Sequence, residues 1–250
     1  MYLIMDENKA PDKKKSRRRL PIVVISLLGL IIVSAIVYFL YGNSFFKEKP
    51  APVVNNKNYH GIDVSRHQGV IDWSKVAQDK KIQFVYIKAS EGTTYTDPQY
   101  ARNIKGAKKN GFLVGSYHFL RNSSPVTSQF QHFTTVVDKK LQDLVPMVDV
   151  EEKISKDSIA KFCKLIKQHY GKSPMIYGTM RSYNCYCAPD FNDYYLMIGR
   201  YGNRPPVING KGHYNIWQFS ENGIVKGIPK PVDQDRFHPD FDLSKIKLKP

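Results

Sequence analysis

Cysteine is scarce in this chain of 250 residues: three in all, Cys163, Cys185 and Cys187, and no CxxC pair among them. That is too few for a disulfide framework, and with no HExxH spacing either, neither a metal centre nor a cofactor is expected. Cys185 and Cys187 stand too close for an easy mutual bridge, and Cys163 falls in a helical pattern where a buried thiol is common. The alternatives are three free thiols or one bridge from Cys163 to either neighbour. Acid is also in short supply, 22 Asp and Glu against 38 Lys and Arg, for a net charge of +16. From residue 56 onward the count is still 29 basic against 18 acidic, so the excess is not confined to the N-terminus. Such a field favours anionic partners, or is simply a lysine-rich solvated surface. No internal repeat or low-complexity tract is present, and the interleaved basic and aromatic residues of an RNA reader are missing. Nucleic acid is not an expected partner.

One stretch has no charge at all. Leu20 to Tyr41 (LPIVVISLLGLIIVSAIVYFLY) follows the basic run Lys13 to Arg19. As a helix, this stretch would span about 30 Å, the thickness of a bilayer core. Six basic residues before it, against Lys47, Glu48 and Lys49 just after, place the head inside and everything downstream outside. A cleaved signal peptide with Val33-Ser34-Ala35 as processing site is the rival, although the apolar run continues past it to Tyr41. No cysteine precedes Cys163, so a lipid-modified N-terminus has no attachment residue. The expected organisation is a cytoplasmic head over 1–19, a transmembrane helix over 20–41, a polar tether over 42–58 and an exported domain over 59–250, outside the cell membrane and monomeric.

Within that domain, acids appear where an apolar run ends. In LVPMVDVEE, Leu144 to Glu152, the carboxyls of Asp149 and Glu151 close a strand pattern. Residues two apart on a strand point to the same face, about 6.5 to 7 Å apart. Neighbouring carboxyls push their pKa values apart, leaving one protonated and one ionised near neutral pH. A proton donor beside an anion is what glycosidic cleavage needs. A solvated strand end, a metal-ligand pair or a salt-bridge partner for a nearby lysine would carry the same two residues.

From Tyr59 onward, short β-branched runs alternate with amphipathic segments, the pattern of parallel strands joined by helices. Strands are expected at 61–65, 84–90, 113–120, 144–150, 174–178, 194–199, 214–220 and near Val232. Helices are expected at 73–80, 98–110, 126–140 and 155–170, with Ser155 as N-cap and Gly111 and Gly171 as C-terminal stops. After the fifth strand the linkers turn rich in Gly and Pro. This order suits an α/β barrel of eight strands with helices mainly in its first half. Functional groups of such barrels gather at the C-terminal strand ends, and here those ends carry Asp63, Glu91, Tyr117 with His118, Asp149 with Glu151, Tyr177, Trp217 with Gln218, and Asp233 with Asp235.

GIDVSRHQGVIDW, KASEG, GSYHF, PMVDVEE, MIYG, IWQFS and VDQDRF occur in the order and spacing of glycoside hydrolase family 25, the Chalaropsis-type lysozymes, which the chain resembles over about residues 59–240. The resemblance implies a TIM-like (β/α)5(β)3 barrel that cleaves the β-1,4 bond between N-acetylmuramic acid and N-acetylglucosamine in peptidoglycan. It makes Glu151 the general acid and Asp149 the group that orients the sugar's own acetamido nucleophile. Asp63 and Asp233 complete the acidic cluster, Asp235 competes with Asp233 for the cleft, and Tyr117, Tyr177 and Trp217 contact sugar rings. Several of these residues also have ordinary structural readings. Trp217 suits core as well as sugar platform, His118 and Phe119 suit filling, and Glu91 suits a pair with Lys88. Asp72 suits a helix cap and Trp73 suits packing. The competing functions are a wall-binding module of little turnover and a hydrolase of another N-acetylhexosamine polymer.

Overall fold

The strands close on themselves. β1 (Gly61–Val64) pairs in parallel with β2 (Phe84–Glu91), which pairs with β4 (Leu113–Phe119). The parallel sheet continues through β5 (Met147–Asp149), β6 (Met175–Thr179), β7 (Tyr195–Gly199) and β8 (Ile216–Gly223). β9 (Val232–Phe237) then runs antiparallel to both β8 and β1 and seals the barrel. The reversal has a simple cause. Only residues 224–231 join β8 to β9, whereas a parallel crossover needs a dozen or more. A two-residue strand, β3 (Tyr95–Thr96), folds back on the end of β2 and was not expected from the sequence. This computed structural model describes residues 58–248. The head, transmembrane helix and tether expected over 1–57 lie outside the described residues, and among the described residues no helix is long and apolar enough to cross a membrane.

Five helices follow the first strands: α1 (Trp73–Val76), α2 (Tyr100–Lys109), α3 (Val126–Val136), α4 (Lys156–Tyr170) and α5 (Met180–Tyr186). The barrel thus has five strand-helix units and then three strands, as expected. Asp72 caps α1 by accepting from the Lys75 N–H at 3.3 Å, and Ser155 caps α4 by accepting from that of Ser158 at 3.2 Å. Gly111 and Gly171 take the left-handed conformation after α2 and α4, at φ +85° and +77°. Two expected helices are shorter. α1 stops at Val76 because the Asp79 carboxylate takes the Lys81 N–H and the Tyr59 hydroxyl, turning the chain toward β2. α3 ends at Val136 because Val137 is extended and Asp138 caps a separate 3-10 turn at Lys139–Leu141. α5 was not expected; it is short and buries only Ser182 and Tyr183.

Alternation along the strands divides the buried side chains into two layers. Ile62, Val64, Val85, Ile87, Val148 and Ile198 face outward against Ile104, Phe133, Phe162 and Ile166 of the helices. Phe84, Tyr86, Met147, Met175, Met197 and Ile216 fill the barrel interior. Large rings fit there because small residues face them: a Cβ on Gly115 would stand 2.4 Å from the Tyr86 ring. Leu243 and Ile246 of the last 3-10 turn plug the end where the strands begin, tied there by the Val145 N–H donating to the Ile246 carbonyl at 2.8 Å. The opposite end stays open and polar.

Candidate active site

The same alternation decides which side chains reach the open end. Asp63 lies one step above Gly61 on the inward face of β1 and opposite Asp233 of β9. Asp149 follows Met147 on the inward face of β5, between Phe119 of β4 and Tyr177 of β6. Two residues beyond, past the end of β5, Glu151 stands exposed at the rim. These four acids share one open hollow of about 400 Å³ with Tyr117, Met147, Tyr177, Tyr201 and Gln218. Residues scattered over 170 positions therefore converge on one face.

A hydrogen-bonded relay fixes one wall. The hydroxyls of Tyr177 and Tyr201 donate to Gln218 Oε1 at 2.7 and 3.3 Å, and Gln218 Nε2 donates to Asp63 Oδ2 at 2.7 Å. Gly199 makes room for it, since a Cβ there would come within 2.8 Å of the Tyr177 hydroxyl and 3.1 Å of Gln218 Oε1. Asp63 also hydrogen-bonds the Asp233 carboxyl, an arrangement that requires a proton between the two acids.

Burial sets the proton affinities. It pushes Asp63 up to about 6, against the opposing pull of its hydrogen bonds from Gln218 and Asp233. Asp149 is only 6% exposed, with Oδ1 lacking any partner; burial first and then the Glu151 charge hold it well above the ordinary carboxylate range. Asp233 is raised by burial and by Asp63. Glu151, open to solvent at the rim but backed by the walls of the hollow, is raised by partial desolvation, with the Lys88 charge pulling the other way. Glu151 makes no hydrogen bond or ion pair to another described side chain, so its carboxyl is free to engage a ligand. Chemically the hollow is a cluster of acids whose proton affinities are raised, with the Lys88 charge opposing the rise at Asp149 and Glu151. Among the described residues no group of three or more His, Cys, Asp or Glu is arranged to hold a metal ion.

Three expected site residues stand elsewhere. Trp217 faces outward from β8: its Nε1 donates to the Arg200 carbonyl at 2.6 Å and the Arg236 guanidinium lies 5.4 Å from its ring, so it is core rather than sugar platform. Asp235 faces inward but one layer deeper than Asp233, fully buried, with neither carboxyl oxygen paired. Asp233 is thus the acid of VDQD at the hollow. Glu91 is taken up at the rim by Lys88 at 2.7 Å and Arg121 at 2.5 Å; burial raises its carboxyl, but the two cations outweigh that and hold it below its ordinary value. His118 turns outward, bonded to Ser90 Oγ at 2.8 Å and stacked on Phe162; burial keeps it neutral by lowering its pKa to about 4. All three cysteines are free, so the bridge weighed for Cys163 is not formed.

Gln218, read from the sequence only as a polar strand-end residue, lines the hollow together with Tyr201 and Met147, which the sequence did not point to. Gln218 had a readable signal, because it alternates with outward Trp217 and Phe219 and is the only polar residue in that register before Ser220. Tyr201 lies in a loop and had none.

Known proteins resemble this chain in sequence and fold. Residues 62–228 match the model of the family described as glycosyl hydrolases family 25. The uncharacterized protein YegX of Escherichia coli (strain K12) is 33% identical over 251 residues, covering 89% of this chain and 92% of its own length. The autolytic lysozyme of Clostridium acetobutylicum is 32% identical over 183 residues, covering 71% of this chain and 55% of its own. The crystal structure of the bacterial lysozyme from Streptomyces coelicolor superposes with a TM-score of 0.66 at 29% identity, covering 76% of this chain and 95% of that one. A family match spanning the strand ends that carry Asp63, Asp149 and Glu151, on a barrel that a solved lysozyme reproduces along nearly its whole length, leaves no other assignment: the chain belongs to glycosyl hydrolases family 25.

Proposed function

We propose that this glycoside hydrolase is a muramidase that cleaves the β-1,4 bond between N-acetylmuramic acid and N-acetylglucosamine in peptidoglycan. The observation that carries the reading is the convergence of Asp63, Asp149, Glu151 and Asp233 around one hollow, in a chain whose relatives include lysozymes. Glu151 is the general acid. Burial raises its proton affinity, the direction a general acid needs, and its rim position lets it meet a leaving glycosidic oxygen. Asp149, deeper and beside Tyr177, orients and polarises the substrate acetamido group, whose carbonyl attacks the anomeric carbon; this is the substrate-assisted exception to the two-carboxylate routes. Asp63 and Asp233 share a proton and limit the negative charge that Asp149 and Glu151 face. Tyr117 and Tyr177 supply the walls against which a sugar ring rests.

The uncharged stretch 20–41 after six basic residues supports a further part of the same reading, an uncleaved anchor holding the catalytic domain outside the cell membrane. Purified full-length chain incubated with peptidoglycan should release reducing ends. Mass spectrometry of the products should show N-acetylmuramic acid at the reducing end. A reducing N-acetylglucosamine would replace the muramidase reading by a glucosaminidase, and binding without release would leave a wall-binding module.

A further inference from the structure

The position of Glu151 depends on groups other than its own side chain. On its N-terminal side the Val150 N–H donates to the Tyr177 carbonyl at 2.9 Å. On its C-terminal side the chain is held through the next residue. Glu152 Oε2 accepts from Arg121 Nη1 at 3.0 Å, and Glu152 Oε1 accepts from the Asn122 N–H. Arg121 is itself gripped from three directions. Its Nε and Nη2 donate to Glu91 Oε1 at 2.9 and 2.5 Å, and its guanidinium lies 4.5 Å from the Phe119 ring. Its backbone N–H donates to Gln129 Oε1 at 2.9 Å, and its carbonyl accepts from Gln129 Nε2 at 2.7 Å. Gln129 is fully buried and tied onward to His118. This anchorage is far heavier than an exposed surface pair requires, and it ends beside the residue expected to donate the proton.

We infer that Arg121 and Glu152 form a strap that positions Glu151 over the leaving oxygen, so that both are positioning residues of the reaction. The strap joins the ends of β2, β4 and β5 and pulls Glu152 away from the hollow, which leaves Glu151, the adjacent residue, to lean over it. Arginine suits the task because its planar fork engages Glu91 and Glu152 at once. Neither residue lines the hollow, so its loss should spare substrate binding. A displacement of about 1 Å in a catalytic group costs on the order of 100-fold in rate.

This inference rests on the muramidase reading. The test is kcat and KM of the full-length chain on soluble peptidoglycan strands for wild type, Arg121→Ala, Glu152→Gln and the double variant, with melting temperatures measured alongside. Each single variant should lose about 10- to 100-fold in kcat with KM within about threefold. The double variant should be no worse than the poorer single one, because a strap cut once is already cut. Glu152→Gln keeps the shape and the Asn122 contact, so it stays folded even where Arg121→Ala melts early. A kcat within twofold of wild type in folded Glu152→Gln and Arg121→Ala would overturn the strap. So would losses confined to KM, or multiplicative losses in the double variant. A wild type inactive on peptidoglycan would instead remove the reading on which the strap rests.

Discussion

Asp235 carries a carboxyl into the barrel interior: it is fully buried, unpaired at both oxygens, and raised well above its ordinary 3.8 by burial and by Asp63 and Asp233. The folded state keeps a proton that the unfolded chain gives up, so this residue's contribution to stability is intact below about pH 4 and declines as pH rises above it. Asp235→Asn removes the titration, and its melting temperature should exceed that of wild type at pH 8 by several degrees while matching it near pH 4. Each unit by which a folded-state pKa exceeds its unfolded value is worth about 1.4 kcal/mol at high pH, which sets that scale. Equal melting temperatures at pH 8 would show that the acid finds a partner. Lys88 governs the second titration. Glu151 is faced by Asp63, Asp149 and Asp233, with Tyr177 and Tyr201 near, and Lys88 is the cation that lowers it. Removing that charge in Lys88→Met raises the Glu151 pKa, so the proton persists to higher pH. The alkaline limb of the rate profile should therefore move upward; a limb that moves downward would assign it to another group.

At the scale of elements, α1 and α2 meet at Trp73 and Gly106. A Cβ on Gly106 would sit 2.3 Å from the Trp73 ring, so the helix carries glycine where propensity alone favours alanine by about 1 kcal/mol. Gly106→Ala should destabilise the domain by about 1 to 3 kcal/mol, overpacking outweighing the propensity gain, as read by denaturant unfolding. A stabilised variant would mean that the tryptophan can move. The elements legible in the sequence were those with long hydrophobic periodicity or clear caps, such as α4 between Ser155 and Gly171. α5 escaped because seven residues with two buried positions make no stripe, although Thr179 caps it by accepting from the Ser182 N–H at 3.1 Å. Site residues on strands were legible through alternation, which brings Asp63, Asp149 and Asp233 inward. The same rule turns Trp217 outward, which shows that an aromatic at a strand end is informative only with its register. Tyr201 was invisible because a loop has no period.

For the molecule as a whole, a closed barrel with a plugged lower end leaves one open end, and the acids gather there because strand order brings β1, β5 and β9 around a single axis. The proposed anchor would add a constraint on place: about 17 residues of tether would reach at most about 60 Å and would keep the domain to wall close to the membrane. Fractionation should find the full-length chain with membranes, and a soluble full-length chain would remove the anchor. The central claim is that Glu151 supplies the proton for cleavage. Its most direct test is reducing-end release from peptidoglycan by Glu151→Gln against wild type, with polymer binding measured on the same preparations. Loss of turnover by about 100-fold or more with binding retained is the predicted result; turnover equal to wild type would contradict it.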